Sequence, residues 1–423
     1  MSELAVKGGT PARTKPWPKW PIWQDSTLAG IKSVLEGGRW AISSYFDPAV
    51  ALKERQFAAA FSKFLGCKYC IPIASGTAAL ETTMEALGIG AGDEVITPSC
   101  TWVADAVSIL NINAAPVFVD IDPLTLCLSP EAVEAAITPR TRAVIAVHLY
   151  GCLADLDKLV AICNRHHIHL IEDCSHVHGS AWRGQRTGTF GAAGCFSTQH
   201  TKLLAAGEGG CVTTNSLEVK QGVEQLKCNS RVYTDTPKVG GLEVEPLGTL
   251  CGGNYNLSEF QSAILLDALP RLEAQNKLRE ENAKFLDDEL SSIEGFIPMT
   301  LPPQVTARAL YYYVVRCDPK YWAGVDTEKV RAALAAEIGM CERVYVPIHK
   351  SPLYKPLTKK RFKYSDAQVA AIQRGLDSNL PHSDAAYAQC VSLFHPILMA
   401  GREDMQDVVN AFAKVSRLKK EIG

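Results

Sequence analysis

The sequence predicts an α/β protein: a large, mostly parallel sheet covered by helices on both faces, followed by a smaller α+β domain. Three observations carry this. From about residue 50 the pattern alternates between amphipathic helices and short buried strands. The length of 423 residues is enough for two domains and a large core. Apolar residues make up 47% and charged residues 21%, as in an ordinary globular protein.

The elements follow in order. Pro11, Pro16, Pro18 and Pro21 disfavour regular structure at the start, which reads as an extended arm laid over the body or over a neighbouring subunit. Residues 51–64 form an amphipathic helix, Tyr69–Ile73 a strand, and Ala78–Leu87 a helix. Glu94–Thr97 is a strand, followed by a helix from Trp102. Val117–Val119, Ala143–His148 and His169–Glu172 are further buried strands with helices between them. After Leu257 a long helical pattern runs through Gln261, Leu265, Leu269 and Leu272 to Phe285, and Pro270 should kink or divide it. A Tyr311–Val315 strand, a helix from about Thr327 and a last helix from about Glu403 complete the chain. The expected division is a large domain over 1–270, including the arm, and a small one over 271–423.

Composition narrows the functional classes. A formal net charge of −2 gives no case for a nucleic acid or a membrane surface as partner. No apolar run is long enough to span a bilayer, and no secretory signal is evident at the start. The fourteen cysteines are scattered. Cys67 and Cys70 are the one close pair, and nothing completes a metal site around them. They read as reduced thiols of a cytoplasmic protein, with no metal expected.

The chemistry concentrates at the carboxyl ends of the strands, where ligands bind on such sheets. Leu170-Ile171-Glu172-Asp173 is a buried strand ending in an acid. Phe196-Ser197-Thr198-Gln199-His200-Thr201-Lys202 supplies a hydroxyl and an amine, and Gly207-Glu208-Gly209-Gly210 behind it lets backbone approach closely. Ala74-Ser75-Gly76-Thr77 leads from a strand into a helix, whose free N–H groups suit a phosphate. Taken singly, each has a bland explanation as a cap, a turn or a surface charge. Together they supply what pyridoxal 5'-phosphate (PLP) requires. Lys202 can condense with the aldehyde, Asp173 can keep the pyridine nitrogen protonated, and Ser75, Gly76, Thr77 and Ser197 can bind the phosphate. Trp102 can lie on the ring, and His176 can reach the ring or its hydroxyl.

These segments, with Gly253–Gln261 and Tyr345–Tyr354, resemble the sugar aminotransferase family called DegT/DnrJ/StrS, over nearly the whole chain. The resemblance implies the type I PLP fold and a homodimer with shared sites, in which Asn254 reaches the phosphate of the neighbouring subunit's cofactor. Lys202 stands where some dehydratase relatives carry histidine, which implies transamination. Two positions depart from the pattern: His176 stands where most relatives have glutamine, and Asn256 where many nucleotide-sugar enzymes have arginine. Lys15-Pro16-Trp17-Pro18, Gln199–Lys202, Ser230–Thr234 and Leu257–Gln261 are most similar to the branch that aminates keto-cyclitols. The implied reaction passes an amino group from L-glutamine or glutamate to scyllo-inosose or 2-deoxy-scyllo-inosose, in an aminoglycoside-type pathway. Arg231, Tyr233 and His349 are candidate substrate contacts, each with an equally good surface or structural explanation. A nucleotide-sugar aminotransferase, a PLP-dependent lyase or dehydratase, and a non-enzymatic regulator are the alternatives.

Overall fold

The computed structural model describes residues 3–422. A seven-stranded sheet forms its centre. Its strands are β1 (Tyr69–Ile73), β2 (Glu94–Pro98), β3 (Ala115–Val119), β4 (Thr141–Val147), β5 (His169–Asp173), β6 (Ala193–Ser197) and β7 (Gly210–Thr214). The spatial order is β1-β7-β6-β5-β4-β2-β3. All neighbours are parallel except β7, which runs antiparallel to both β1 and β6. The carboxyl ends of β1, β2, β4, β5 and β6 therefore open on one edge of the sheet.

Helices α1 (Asp25–Gly37), α2 (Lys53–Leu65), α3 (Gly76–Ala86) and α4 (Ala104–Asn111) come from the first part of the chain. Phe57 and Phe61 of α2 are fully buried, and Phe61 meets Phe196 of β6 edge-on at 5.2 Å. Each such ring contributes about 1.5–3 kcal/mol by leaving water. Ser75 caps α3 by accepting the Ala78 N–H at 3.1 Å, so the helix begins immediately beyond β1.

The long helix α5 (Glu259–Leu290) opens with a capping box between Ser258 and Gln261. It runs unbroken through Pro270, so the proline does not divide it. A mid-helix proline removes one hydrogen bond and costs about 3 kcal/mol. Burial on both sides of it offsets that cost: Leu265, Leu269 and Leu272 pack into the core of the large sheet, and Ala283, Leu286 and Leu290 into a second core. The helix thus passes from one core to the other between Leu272 and Ala283, beyond the expected boundary at residue 270. The second core surrounds an antiparallel sheet of β8 (Phe296–Pro298), β9 (Tyr312–Cys317), β10 (Glu342–Arg343) and β11 (Cys390–Phe394), in the order β8-β9-β11-β10. Helices α6 (Thr327–Ile338) and α7 (Arg402–Arg417) pack on it.

The proline-rich start lies over this second core. After one 3₁₀ turn at Ala5–Lys7 it is irregular as far as α1. Buried Glu337 accepts the N–H groups of Ala5 and Ala12 at 2.8 and 2.9 Å. Arg13 donates to Asp404 and Asp407 at 2.7 and 2.9 Å, and Trp17 donates to the Ile338 carbonyl at 2.7 Å. An arm with little regular structure is held by side-chain bonds in both directions, from Glu337 to its backbone and from its own Arg13 and Trp17 to the body.

Candidate active site

Sheet register gathers the chemistry at the open edge. Asp173, the last residue of β5, lies between Val147 of β4 and Cys195 of β6. Ser197 ends β6 opposite Gly210, which in turn faces Ile73 at the end of β1. The entrance to α3 is thereby pressed against Ser197. A Cβ placed on Gly76 would come within 2.8 Å of the Ser197 Cβ, so this approach requires glycine. The first N–H groups of a helix have no partner within it, and those of Gly76 and Thr77 open beside the Ser75, Thr77 and Ser197 hydroxyls. The result is a cradle for an anion.

A cavity of about 460 Å³ opens here, within the usual range for a small-molecule site. Ser75, Gly76, Thr77, Trp102, Asp173, His176, Ser197 and Lys202 all line it.

Lys202 sits on a loop that folds back on itself. The Thr198 and His200 N–H groups donate to the Gly209 and Gly207 carbonyls at 2.8 and 2.7 Å, and Gly207 takes a φ of +88° that suits glycine. Gln199 accepts the Thr201 N–H and hydroxyl at 2.9 and 2.7 Å, and the Tyr311 hydroxyl donates to Thr201 Oγ1 at 2.5 Å. The Lys202 ammonium lies 4.2 Å from the centre of the Tyr311 ring. Burial lowers its pKa to about 8, against the opposing pull of the Asp173 and Asp105 carboxyls. Such an amine loses its proton near neutrality, as a nucleophile or proton carrier must.

His176 is buried against Tyr311, with ring centres 4.2 Å apart. Its Nε2 is 3.3 Å from the Tyr345 hydroxyl, and its Nδ1 has no partner among the described residues. Burial, with Lys202 and His178 nearby, pushes its pKa well down, so the ring is neutral. Trp102 is 50% exposed and tilts toward Tyr345 at 5.6 Å.

Four expected site residues lie outside this cavity. The Tyr233 hydroxyl is spent inside the protein, donating to Glu54 at 2.5 Å and accepting from Lys227 at 2.9 Å. His349 pairs its Nδ1 with Ser99 Oγ at 2.7 Å, and its Nε2 lies 3.6 Å from Asp384. Arg231 donates its Nε to the Cys228 carbonyl at 3.1 Å. None of the three reaches the cavity of its own chain. Asn254 is exposed and accepts from Asn256 at 2.8 Å.

Other residues complete the lining. Tyr311 and Tyr312 arrive from the start of β9 and Tyr345 from the segment after β10, while Thr101, His148, Ser175, Gln199, Thr201 and Glu208 come from the loops of the large sheet. The Tyr345–His349 segment was legible as a site segment, but its tyrosine rather than its histidine enters the cavity. His148, Glu172 and Cys174 bring their ligand atoms within 4.8 Å of one another. Glu172, however, already accepts the N–H groups of Gly188, Phe190 and Gly191 at 2.8, 2.7 and 3.0 Å. His148 Nδ1 accepts the Ala154 N–H at 3.2 Å, so its Nε2 carries the proton that faces Glu172. This is a structural network.

The donor set fits PLP on three counts: a low-pKa amine for the aldehyde, a carboxylate at a strand end for the pyridine nitrogen, and a glycine-lined cradle for the phosphate. The unpartnered His176 Nδ1 is a further polar atom for the ring. No other residue has to move into the cavity to supply these groups.

Comparison with known proteins agrees with this geometry. A model of the DegT/DnrJ/EryC1/StrS aminotransferase family matches residues 48–413. The chain is 44% identical to L-glutamine:2-deoxy-scyllo-inosose aminotransferase of Micromonospora echinospora, over 100% of both chains. It is 42% identical to L-glutamine:scyllo-inosose aminotransferase of Streptomyces griseus, over 100% of this chain and 99% of that one. The crystal structure of 3-amino-5-hydroxybenzoic acid synthase matches with a TM-score of 0.81 at 28% identity, covering 96% of this chain and 100% of that one.

Proposed function

Because the chain belongs to the DegT/DnrJ/EryC1/StrS aminotransferase family, we propose that it aminates a keto-cyclitol, scyllo-inosose or a deoxy analogue, with L-glutamine as donor and PLP as cofactor. The enzyme is a transferase of nitrogenous groups. The observation that carries the proposal is the convergence of Lys202, Asp173 and the Gly76–Ser197 cradle on one cavity.

When bound, PLP would supply an electron sink for the bonding pair left behind as a proton leaves the donor carbon. The chain's own residues do the rest. The cradle at α3 anchors the phosphate, and Trp102 flanks the ring. Asp173 holds a positive charge at the ring nitrogen. Lys202, with its lowered pKa, takes a proton from the donor's α-carbon and returns one to the acceptor carbon. The amino group leaves the α-carbon of glutamine, which becomes a keto carbon, and joins the former keto carbon of the cyclitol.

The cyclitol assignment rests on the full-length relatives and on the lining itself. Beyond the phosphate cradle, Lys202 is the one lysine or arginine among the described residues that line the cavity, and Ser175, Tyr311, Tyr312 and Tyr345 add hydroxyls to its wall. A lining with no second cation gives a substrate diphosphate no counter-charge from this chain, whereas hydroxyls can bond a polyhydroxylated ring. Shared sites in a homodimer are part of the proposal. Exposed Trp23, Leu28, Leu35, Trp40 and Tyr45 on and flanking α1, and exposed Asn254, support it. The fourteen free thiols support a reducing, cytoplasmic setting, and the relatives' substrates support a place in aminoglycoside-type biosynthesis. No helix among the described residues is long and apolar enough to cross a membrane.

The test is direct competition. Protein loaded with PLP is given glutamine, then a mixture of keto-cyclitols and nucleotide-linked keto-sugars, and amino products are measured. The aminocyclitol should dominate. A preference for the nucleotide-linked product would transfer the enzyme to the nucleotide-sugar branch. A dehydrated or aromatic product formed without consuming glutamine would instead favour a synthase like the 3-amino-5-hydroxybenzoic acid enzyme.

A further inference from the structure

His349 lies outside the cavity, yet the segment that carries it lines the cavity at Tyr345. This segment crosses the end of β2 and is bound there at Ser99, which is fully buried. The Ile348 N–H donates to the Ser99 carbonyl at 2.8 Å, and the His349 N–H donates to Ser99 Oγ at 3.3 Å. The His349 ring turns back to the same hydroxyl, with Nδ1 at 2.7 Å from Oγ. Two consecutive residues thus grip one serine through both its backbone and its side chain. Two positions after Ser99 the cavity wall begins with Thr101 and Trp102, and the Trp102 ring lies 5.6 Å from that of Tyr345.

These contacts decide where the ring carries its proton. Ser99 Oγ accepts the His349 N–H, so its own proton goes to Nδ1, the one acceptor it has among the described residues. The neutral ring then holds its proton on Nε2. That atom is buried, makes no hydrogen bond among the described residues, and faces the Asp384 carboxylate at 3.6 Å. Burial lowers the His349 pKa, and Lys350 adds to this, while Asp384 and Asp120 pull the other way. Asp384 is itself held in place. It stands on the helix Pro381–Gln389, where the His382 and Ser383 N–H groups donate to Asp120, just beyond β3, at 2.9 and 2.8 Å. The ends of β2 and β3 are both tied to this corner.

We propose that Ser99 and His349 form a clasp that sets the position of Tyr345 in the cavity, with His349 a positioning residue that acts through Nδ1 rather than by touching substrate. From the clasp the chain runs back to Tyr345 through Val346 and Pro347, and the proline ring leaves that link little slack. At the other end the Tyr345 N–H donates to the Tyr150 hydroxyl at 2.7 Å, and the Tyr345 hydroxyl lies 3.3 Å from His176 Nε2. Tyr150 and Ser99 are therefore the two anchors of this stretch of wall. Without the Ser99 anchor, Tyr345 is held on one side only, and His176 and Trp102 lose a fixed neighbour. A wall displaced in this way holds a substrate less well for reaction. The effect on turnover rests on the proposed function; the clasp itself does not.

Two substitutions separate the ring's nitrogens. His349→Asn keeps an acceptor where Nδ1 stands and loses Nε2, whereas His349→Gln reaches the Nε2 position and loses Nδ1. The first readout is amide hydrogen exchange over residues 345–349 in cofactor-free protein. Ser99→Ala, His349→Ala and His349→Gln should each speed exchange there by about two- to tenfold, and His349→Asn should stay near wild type. The second readout is kcat/KM for a keto-cyclitol, which should fall in the same order. Ser99→Ala combined with His349→Ala should lose no more than either change alone, because both open one clasp. Wild-type exchange in every variant, or rescue by glutamine and not by asparagine, would overturn the proposal. So would exchange that rises equally in all segments, since the clasp would then serve only overall stability. Should the variants fail to fold, ¹⁵N NMR of wild-type His349 serves alone: near pH 7 the ring must be neutral with its proton on Nε2, and a proton on Nδ1 overturns the clasp. Failure of the wild type to aminate any keto-cyclitol would count against the proposed function and leave the exchange and NMR results standing.

Discussion

Trp20, in the N-terminal arm, donates its indole N–H to the backbone carbonyl of Lys202 at 3.1 Å. The residue proposed to do the chemistry is thus braced by a segment about 180 positions earlier. The Trp20 ring meets His395 edge-on at 4.7 Å and lies under the Arg279 guanidinium at 4.9 Å. His395 holds the same loop through the Thr201 carbonyl at 3.0 Å. The arm therefore belongs to the support of the site as well as to the surface of the second core.

Trp20→Phe should keep the packing and lose the hydrogen bond. Losing such a bond costs about 0.5–1.5 kcal/mol, or roughly two- to tenfold in an equilibrium. PLP retention and kcat should fall by that factor. Trp17→Phe is the control: its indole bonds Ile338 rather than the lysine loop, so it should lower the melting temperature and spare cofactor affinity. Identical effects from the two variants would show that the arm acts only through global stability.

The lowered pKa of Lys202 can be read in cofactor-free protein. Its amine is protonated below about pH 8 and free above it, whereas an ordinary lysine keeps its proton to about 10.5. An amine-reactive label should therefore modify Lys202 with a midpoint near pH 8, before the surface lysines react. After loading with PLP, borohydride should fix the cofactor on Lys202, and Lys202→Ala should abolish both labelling and turnover. Labelling of Lys202 only in step with the surface lysines would contradict the desolvated environment.

Gly76→Ala tests the phosphate cradle. The new methyl would sit 2.8 Å from the Ser197 Cβ, at the point where α3 meets β6. Relief requires the helix start to shift, at about 1–3 kcal/mol. We expect PLP affinity to drop about tenfold or more, measured by titrating the cofactor-free protein. Unchanged affinity would mean the phosphate is held elsewhere.

The shared-site proposal is tested by mixing two inactive variants, Lys202→Ala and Asn254→Asp. If Asn254 serves the neighbouring subunit's phosphate, one of the two sites in each hybrid dimer is free of both changes. Mixing should then restore up to about half of the per-site activity in hybrids. No recovery after confirmed subunit exchange would place Asn254 outside the partner's site.

Much of the site was legible because its central parts are local. Asp173, Ser197 and the Ser75–Thr77 turn each sit where an apolar strand ends, and sheet architecture sends all such ends to one edge. Gly207 and its neighbours mark the return of the lysine loop through their backbone freedom. Tyr233 and His349 show the limit of that reasoning. A polar residue in a site-like motif can spend its hydrogen bonds internally, as Tyr233 does on Glu54 and Lys227. Pro270 shows it for elements: its local cost was readable, but the two cores that outweigh it were not.

The sequence by itself determined the alternation of elements, the strand ends and the chemical types of the groups placed there, because these follow from periodicity, caps and turns within a few residues. Only the tertiary structure decided which distant groups share the cavity. Tyr311 and Tyr345 reach it because the ends of β9 and β10 lie against the open edge of the large sheet, where the Tyr345 N–H donates to the Tyr150 hydroxyl at 2.7 Å. Trp20 reaches the lysine loop because the arm folds back over that core. Each of these contacts joins segments tens to hundreds of residues apart. Its geometry comes from strand order and core packing, which no short stretch of sequence encodes.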